Sequence, residues 1–298
     1  MKNRSNGITL VALVITIIVP YAAGGGVDLG SRLLAKYLSE ATPVDVVVSN
    51  VAGGGGTVGA ADCLKYDADG SYMLALNPSP TYVSTKDKPL TFDILKDYEF
   101  AAIMVQDQRL FVTSAKNTNF QTVEEAIEYG KANPGKFNIG CSGTGNSAYA
   151  TAEEFLEKTG IEGNVPFDGS SEAKSAVLGG HIDVAVQSLS DVSSSMNEVT
   201  ILATGGEERF SKTPDVPCMT ELGFPMAQYV TRGYAFKAGT DSAIINYWSD
   251  KIGEVCENEA FLKEADSLGL PIVYMNHEEA QEDAKTEMAT YQEKFGDK

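Results

Sequence analysis

Three glycine-rich turns are the parts of this sequence whose residue types best suit ligand binding. They cover residues 20–28, 50–59 and 140–147, and each follows a run that predicts a strand. Glycines at a helix start let the backbone approach a ligand and let consecutive N–H groups converge, and the helix dipole adds positive potential. The turns therefore predict anion binding through the backbone, without Lys or Arg. The alternative is that the glycines only permit tight β–α turns.

Length and charge restrict the function of the whole chain. Its 298 residues exceed one ordinary hydrophobic core and suit two domains. Hydrophobic residues make up 43% and charged residues 21%, close to the globular average, which excludes a disordered chain and a polytopic membrane protein. Acidic residues outnumber basic ones by 41 to 23 and no basic cluster is present, so we exclude a nucleic-acid partner.

The spacing of the histidines and cysteines is not typical of a metal centre or of a redox-active cysteine pair. The only two histidines, His181 and His277, lie far apart, which argues against a multi-histidine metal centre. The four cysteines show no C-x-x-C spacing, and we expect them to be buried free thiols. One or two disulfides are the alternative if the protein is exported.

The amino terminus predicts export. Basic residues precede the apolar run 8–19, which is too short to span a bilayer but suits the core of an export signal. The run also resembles the leader of prepilin-like surface proteins, which are cut after a glycine such as Gly7. Its second half, 14–19, is equally a continuous β-branched strand. We expect residues 1–13 to form a leader or an apolar extension and residues 14–19 to form a strand.

Predicted strands and helices alternate along the rest of the chain. Strands are predicted at 44–50, 72–76, 100–105, 110–115, 137–141, 165–167, 182–187, 199–203 and 272–275. Helices are predicted at 60–65, 122–132, 147–158, 172–178, 243–257 and 277–295, and one after the first glycine turn has Leu29, Leu33, Leu34, Tyr37 and Leu38 on one side. Thr122 with Glu125 predicts a capping box. Repeated β–α–β units indicate an α/β fold of mainly parallel sheets flanked by helices.

A dinucleotide-binding enzyme is the main alternative function. Gly54, Gly56 and Gly59 satisfy the spacing G-x-G-x-x-G after a predicted strand. In that fold an acidic residue about twenty positions further on binds the ribose, and here that place falls near Asn77, where no acid is present. The match is weak, and a Rossmann-type oxidoreductase stays open as the second hypothesis.

Eight motifs occur in the order of one known family. They lie at residues 19–28, 50–59, 69–74, 133–136, 140–145, 165–169, 178–183 and 214–217. In these motifs the chain resembles the substrate-binding proteins of the tripartite tricarboxylate transporter system, the Bug family. The resemblance extends from about residue 15 to the carboxyl end. It implies a type II periplasmic-binding-protein-like clamp of two lobes, an extracytoplasmic receptor rather than an enzyme, with no cofactor.

The resemblance also implies a ligand and a partner. The ligand would be a small carboxylate, and dicarboxylates, tricarboxylates, acidic amino acids and aromatic acids all fit the sequence. The partner would be the permease subunits of the transporter, and we expect the receptor to be a monomer. Lobe 1 is predicted to comprise residues 14–104 and 235–298, and lobe 2 residues 105–234. Closure of the lobes would couple binding to recognition by the permease.

In this family the first and third glycine turns, one from each lobe, hold the carboxylate between them, partly through ordered water. The matching residues here are Tyr21, Ala22, Ala23, Gly24 and Gly25 in the first turn and Ser142, Gly143, Thr144, Gly145, Asn146 and Ser147 in the third. Members of this family normally carry a signal peptide and a spacer before the first strand, whereas here the apolar leader runs straight into that strand. Either the gene start is misplaced, or the chain is a truncated or fused form, or the leader doubles as the strand.

Five further residues complete the predicted site, most with a structural alternative. Asp28 either contacts a ligand amine or hydroxyl or stabilises the start of its helix. Phe167 either stacks on a ligand or belongs to the core, and Gly169 shares its motif. Asp183 either binds the ligand or ties its own turn. Gln187 begins a segment richer in serine than is usual in the family, which leaves the identity of the ligand open.

Overall fold

The chain divides into two units, each built on one β-sheet. The computed structural model describes residues 3–5, 8–10, 14–143, 146–167, 169–226 and 228–297. Unit 1 comprises Met1–Gln106 and Thr231–Lys298, and unit 2 comprises Asp107–Val230. The lobe boundaries expected from the sequence, at 104 and 234, lie close to these positions.

The described residues contain strands and helices in alternation. The strands are β1 (Asn3–Ser5), β2 (Ile8–Leu10), β3 (Val14–Val19), β4 (Asp45–Asn50), β5 (Tyr72–Leu76), β6 (Tyr98–Gln108), β7 (Leu110–Ser114), β8 (Ile139–Ser142), β9 (Asn164–Phe167), β10 (Val184–Gln187), β11 (Val199–Thr204), β12 (Tyr229–Lys237) and β13 (Ile272–Met275). The α-helices are α1 (Gly26–Ala41), α2 (Thr57–Cys63), α3 (Ile94–Asp97), α4 (Val123–Ala132), α5 (Ser147–Thr159), α6 (Ser170–Leu178), α7 (Leu189–Val192), α8 (Ser242–Cys256), α9 (Glu259–Ser267) and α10 (His277–Phe295).

Unit 1 contains a six-stranded sheet in the order β13-β6-β12-β5-β3-β4. The predicted strand β3 is confirmed, and it runs parallel to both β4 and β5. Its β-branched residues are buried on both faces, since Ile17 belongs to the core under α1 and α8 whereas Ile18 belongs to the core under α2 and α10. Because β3, β4 and β5 run parallel, their carboxyl ends meet at one edge of the sheet.

Unit 2 contains a five-stranded sheet in the order β11-β7-β10-β8-β9. Strands β8, β9 and β10 are parallel, and β7 runs antiparallel to β10 and β11. Side chains alternate along β10, because Val184 packs into the core under α4 and α5 whereas Ala185 packs into the core under α6 and α7. This sheet also has helices on both faces.

Both sheets are mixed rather than mainly parallel. In unit 1 the antiparallel pairs are β12 with β5 and β13 with β6. The strand β12 and the helix α9 were not predicted from the sequence. β6 and β12 each carry the chain across the boundary between the units, and such strands break the β–α–β repeat from which parallel sheets were expected.

Several local predictions are confirmed. Thr122 caps α4, because its hydroxyl accepts a hydrogen bond from the N–H of Glu125 at 3.2 Å. The predicted capping box is only half formed, since Oε2 of Glu125 accepts from the N–H of Gln121 at 2.8 Å rather than from Thr122. The four cysteines are free thiols and buried. Across the described part of the chain, no helix has both the length and the apolar character needed to cross a membrane.

Candidate functional site

The first glycine turn, residues 21–25, connects β3 to α1. Ala22, Ala23 and Gly24 are exposed, and Gly24 adopts a φ of 87°, in the left-handed region that favours glycine. Gly25 is the N-cap of α1 and has no side chain to satisfy the N–H groups of the first helical turn. We call residues 21–25 the unit 1 turn. It presents backbone groups and the positive end of a sixteen-residue helix to solvent.

Asp28 holds the unit 1 turn in place. Its Oδ2 accepts hydrogen bonds from the N–H of Gly24 at 2.9 Å and from Nε of Arg32 at 3.0 Å. Its Oδ1 accepts a hydrogen bond from Nδ2 of Asn50 at 2.9 Å, and the same nitrogen donates to the carbonyl of Tyr21 at 3.1 Å. Asp28 is only 2% exposed, and these hydrogen bonds tie the unit 1 turn to α1 and to the end of β4.

The electrostatics of Asp28 agree with this role. Burial alone would raise the pKa of its carboxyl, but the hydrogen bonds from Arg32, Gly24 and Asn50, together with the charge of Arg32, lower that pKa below its ordinary value. The carboxylate is therefore ionised at neutral pH and compensates Arg32. The pair leaves the unit 1 turn without net side-chain charge, so an anion there would meet mainly backbone dipoles.

Tyr21 connects the unit 1 turn to the second glycine turn. Its hydroxyl donates to Oδ1 of Asn77 at 2.7 Å, at the carboxyl end of β5. Gly56, in the second glycine turn, packs against the Tyr21 side chain. A Cβ at Gly56 would lie 3.0 Å from the hydroxyl of Tyr21 and 2.7 Å from the hydroxyl of Tyr82. Gly56 also has a φ of 107°. The second glycine turn therefore supports Tyr21 by close packing.

The second turn does not support a dinucleotide site. The helix that follows it, α2, has only seven residues. The residue after β5, where that fold places its ribose-binding acid, is Asn77, and its amide already accepts the hydrogen bond from Tyr21.

The third glycine turn, residues 142–147, connects β8 to α5 in unit 2. We call it the unit 2 turn; Thr144 and Gly145 lie outside the described residues. Gly143 has a φ of 69° and donates from its N–H to the carbonyl of Phe167 at 2.5 Å. Asn146 caps α5 by accepting a hydrogen bond from the N–H of Tyr149 at 2.9 Å. The turn is therefore built, like the first, at the start of a long helix.

A buried arginine that the sequence analysis missed lies at the unit 2 turn. The guanidinium of Arg109 donates a short hydrogen bond to the hydroxyl of Ser147, the first residue of α5, and Arg109 is 7% exposed. Its backbone is fixed on both sides, because its N–H donates to Gln228 at 3.0 Å and its carbonyl accepts from Gly205 at 2.7 Å. No local pattern identifies this residue. Its neighbours are 38 to 119 positions away in sequence.

Gln187 also lies at this edge of the sheet. The register of β10 with β8 pairs Ala185 with Gly140, and two residues further on it brings Gln187 beside Ser142. Gln187 is fully buried, and neither its amide nitrogen nor its amide oxygen has a hydrogen-bond partner among the described residues. A buried amide with no partner is unusual and indicates a group that a ligand or water completes.

The other predicted residues of unit 2 are divided between the two ends of the strands. Phe167 is paired with Ser142, and Gly169 is the N-cap of α6, so both lie near the unit 2 turn. Asp183 lies at the opposite, amino-terminal end of β10, where its Oδ2 accepts from the N–H of Asn138 at 2.9 Å. The structure therefore does not bring Asp183 to the turn, and its contacts match the alternative in which it ties a structural connection.

No cofactor or metal site is apparent in the ranges that the structure describes. Within them, no group of three or more His, Cys, Asp or Glu side chains converges on a common point. Both turns stand at the start of a long helix, an arrangement that suits reversible anion binding.

Comparisons with known proteins agree with this chemistry. A family model described as "Tripartite tricarboxylate transporter family receptor" matches residues 31–293. A Cupriavidus necator protein described as "UPF0065 protein in gbd 5'region" is 30% identical over 292 residues, which cover 95% of this chain and 87% of the relative. Protein BugT of Bordetella pertussis is 30% identical over 266 residues, which cover 86% of this chain and 80% of the relative.

Solved structures share the fold. One described as "Structure of a periplasmic transporter" has a TM-score of 0.87 at 25% identity, covering 94% of this chain and 95% of the other. A Rhodopseudomonas palustris protein with bound malate has a TM-score of 0.83 at 19% identity, and the match covers 94% of this chain and 98% of the other. An R. palustris protein with adipate has a TM-score of 0.86 at 21% identity, covering 94% and 95%. The fold is that of periplasmic binding proteins.

Proposed function

The chain belongs to the tripartite tricarboxylate transporter receptor family, and on that premise we propose that it binds a small carboxylate through the unit 1 and unit 2 turns. Members of this family are solute-binding receptors. The receptor would deliver its ligand to the membrane permease of the transporter. Nothing in the described residues favours the oxidoreductase alternative.

The observation that carries the proposal is the geometry of the unit 1 turn. Three parallel strands end beside it, and α/β proteins bind their ligands at the carboxyl ends of such strands. The side chains that follow these ends, Asn50 and Asn77, hold Tyr21 in place rather than fill the turn. The backbone of the exposed residues Ala22, Ala23 and Gly24, with that of the half-buried Gly25, is then available for a carboxylate, directly or through water.

Unit 2 supplies the second half of the proposed grip. Its turn also starts a long helix, and the capping side chain of Asn146 fixes the backbone before a ligand arrives. Ordering the groups in advance reduces the entropy lost on binding. We propose Tyr21, Ala22, Ala23, Gly24 and Gly25 from unit 1 and Ser142, Gly143, Thr144, Gly145, Asn146, Ser147, Phe167, Gly169 and Gln187 from unit 2 as the ligand-binding residues. Asp28 would instead hold the unit 1 turn against α1, and Asp183 would hold the connection before β10.

The class of ligand follows from the relatives. Related folds have been solved with malate and with adipate, both of which are dicarboxylates. We therefore propose a dicarboxylate of this size range as the first candidate ligand.

Location and partners are further parts of the proposal. Because the family's receptors are periplasmic, we place this protein outside the cytoplasm, exported by the leader predicted at residues 1–13. It would act as a monomer, with two lobes that correspond to units 1 and 2 and that close on the ligand. It would work as a receptor without enzymatic activity.

A thermal-shift screen tests the proposal. The screen compares succinate, malate, adipate, citrate, glutamate and benzoate, each with the corresponding amide as a control. A ligand at about 100 times its dissociation constant adds about 2.7 kcal/mol to the free energy of unfolding, which raises the melting temperature by several degrees. The proposal predicts such a shift with at least one acid and not with its amide. If no acid in the panel shifts the transition, the receptor function is contradicted.

A further inference from the structure

We propose that Gln187 is a specificity-determining residue that recognises a hydroxyl group of the ligand, so that the receptor prefers a hydroxylated dicarboxylate to the same acid without the hydroxyl. This inference rests on the proposed function and deepens it, because it names a group of the ligand, other than its carboxylates, that the site selects. The selection does not depend on the charge of any side chain.

The side-chain amide of Gln187 is the first argument. Gln187 is fully buried, and neither its amide nitrogen nor its amide oxygen has a hydrogen-bond partner among the described residues. Buried polar groups in folded proteins are nearly always paired, and an unpaired one lowers stability. The amide therefore offers a donor and an acceptor to a group that the described part of the chain does not supply.

The chemistry of an amide decides which ligand group completes it. Its nitrogen donates hydrogen bonds and its oxygen accepts them. An ionised carboxylate only accepts, so it satisfies the nitrogen of Gln187 and leaves the oxygen without a donor. A hydroxyl donates as well, and it is a small group that suits a fully buried place. A hydroxyl beside a carboxylate therefore satisfies both atoms, because the hydroxyl donates to Oε1 while a ligand oxygen accepts from Nε2.

The position of Gln187 is the second argument. Gln187 ends β10, where it is paired with Leu110 on β7 on one side and lies beside Ser142 on β8 on the other. Residues that lie side by side on neighbouring strands share a face of the sheet, so the amide is on the same face as the Ser142 side chain. Both residues stand at the carboxyl ends of parallel strands, where α/β proteins bind their ligands.

Thr204 is an independent sign that a polar ligand group belongs at this edge of the sheet. On β11 it is paired with Leu110 from the side opposite to Gln187, so the three side chains form one row on one face. The Thr204 hydroxyl is fully buried, and within the described ranges it has no hydrogen-bond partner either. Two unsatisfied polar side chains therefore flank one leucine, and a polar ligand explains both.

The backbone around Gln187 is fixed before a ligand binds. The next residue, Ser188, is the N-cap of α7 and forms a capping box with Asp191. The N–H of Ser188 donates to Oδ2 of Asp191 at 3.0 Å, and Oδ1 of the same acid accepts from the hydroxyl of Ser170, on α6, at 2.8 Å. An amide held on a fixed backbone suits only one position of the hydroxyl, so we expect the receptor to distinguish the two enantiomers of a 2-hydroxy acid.

Calorimetric titration with matched acids tests this inference. The ligands are succinate and the two enantiomers of malate, which differ from succinate by one hydroxyl; adipate and 3-hydroxyadipate replace them if only six-carbon acids bind. Gln187→Met keeps the length of the side chain and removes both hydrogen-bonding atoms, and Gln187→Leu serves the same purpose if that variant does not fold. Gln121→Met is the matched control, because Gln121 lies in the same unit, is exposed and is hydrogen-bonded to Asn117 and Thr200.

The ratio of the affinities for the hydroxy acid and the plain acid is the decisive quantity. We expect the wild type and Gln121→Met to bind one enantiomer of malate about 10- to 100-fold more tightly than succinate, and Gln187→Met to reduce this ratio to near one. A wild-type ratio near one would overturn the recognition of a hydroxyl, and an unchanged ratio in Gln187→Met would overturn the role of Gln187. The receptor function stands in both cases. If the wild type binds no carboxylate, the proposed function itself fails, and this inference fails with it.

Thermal unfolding without ligand gives a second readout. Replacing an unpaired buried amide by an apolar group of similar shape costs little stability, so we expect the melting temperature of Gln187→Met to stay within a few degrees of the wild type. A larger fall in the melting temperature would show that the amide is already hydrogen-bonded in the free protein. That result would contradict the inference.

Discussion

The carboxylate of Asp28 accepts a hydrogen bond from the backbone N–H of Gly24, four residues before it, at 2.9 Å. This bond folds the unit 1 turn back onto α1. The same carboxylate holds Arg32 and Asn50, so one buried acid fixes a turn, a helix and the end of a neighbouring strand.

Replacing Asp28 by Asn tests this arrangement. Asp28→Asn is nearly isosteric but removes the charge that compensates Arg32, and we expect the free energy of unfolding to fall by about 1–3 kcal/mol and carboxylate binding to weaken. Urea unfolding and calorimetry would measure the two effects. Asp45→Asn is the control, because Asp45 is exposed at the start of β4, and it should leave both quantities unchanged.

The stability difference between wild type and Asp28→Asn should depend on pH. The pKa of Asp28 is lower in the folded chain than in the unfolded one, so its contribution is complete above the unfolded value of about 4. It is lost as the pH falls through the lower, folded value. Urea unfolding of both proteins between pH 7 and pH 3 should show the difference shrinking only below about pH 4. If the difference in the free energy of unfolding does not change with pH, the substitution acts through the shape of the side chain rather than through its charge.

We expect glycine at position 25 to be needed for ligand approach rather than for folding. Its φ of −82° and ψ of 167° suit any residue, and a Cβ there would come no closer than 3.9 Å to the Ala22 carbonyl. We therefore expect Gly25→Val to keep the melting temperature within a few degrees while binding falls at least tenfold. The control is Ala41→Val, at the exposed far end of the same helix. Normal binding by Gly25→Val would show that the unit 1 turn is not part of the site.

Gly56, in contrast, is required by packing. Gly56→Ala would place a methyl group against the hydroxyls of Tyr21 and Tyr82 at a strained φ of 107°. The control Gly135→Ala shares a positive φ, 75°, but its Cβ meets nothing within 4 Å. Both variants lose about 1 kcal/mol to backbone strain, and we expect Gly56→Ala to lose at least 1 kcal/mol more in urea unfolding. Equal losses would mean that the tyrosines move aside freely.

The thiols should be unreactive in the folded protein. Burial raises the pKa of Cys63 to about 11 and those of Cys141 and Cys256 to about 12. At pH 8 only about one in a thousand Cys63 side chains would then be thiolate, and thiolate is the reactive form. Alkylation followed by mass spectrometry should show almost no labelling of these cysteines in buffer and complete labelling in urea. Rapid labelling in buffer would contradict their burial.

The features of the fold and of the candidate site that could be predicted from the sequence are those that depend on residues close together in the chain. The strand β3, the turn after it and the capping of α4 by Thr122 depend on residues a few positions apart, and each was predicted. The position of Arg109 depends on Gln228 and Gly205, and the position of Gln187 depends on the pairing of β10 with β8. Such contacts form only when strands that are far apart in sequence pair, so no local sequence pattern predicts them.

The amino terminus gives a separate prediction. Because β3 runs between β4 and β5, removal of residues 1–22 would take away a central strand and Tyr21. We expect the exported, functional protein to retain residues 15–26, with cleavage before Val14, and amino-terminal sequencing would show this. A mature chain that begins at Ala23 and still binds a carboxylate would contradict the assignment of both the strand and the turn.

Isothermal titration of the purified wild-type chain with malate and adipate, and with the diamide of each, tests the central claim most directly. The claim that two helix-start turns bind a carboxylate predicts saturable binding of one diacid per chain, with the diamide at least tenfold weaker. Equal affinity for a diacid and its diamide, or no heat from either acid at millimolar concentration, would contradict it.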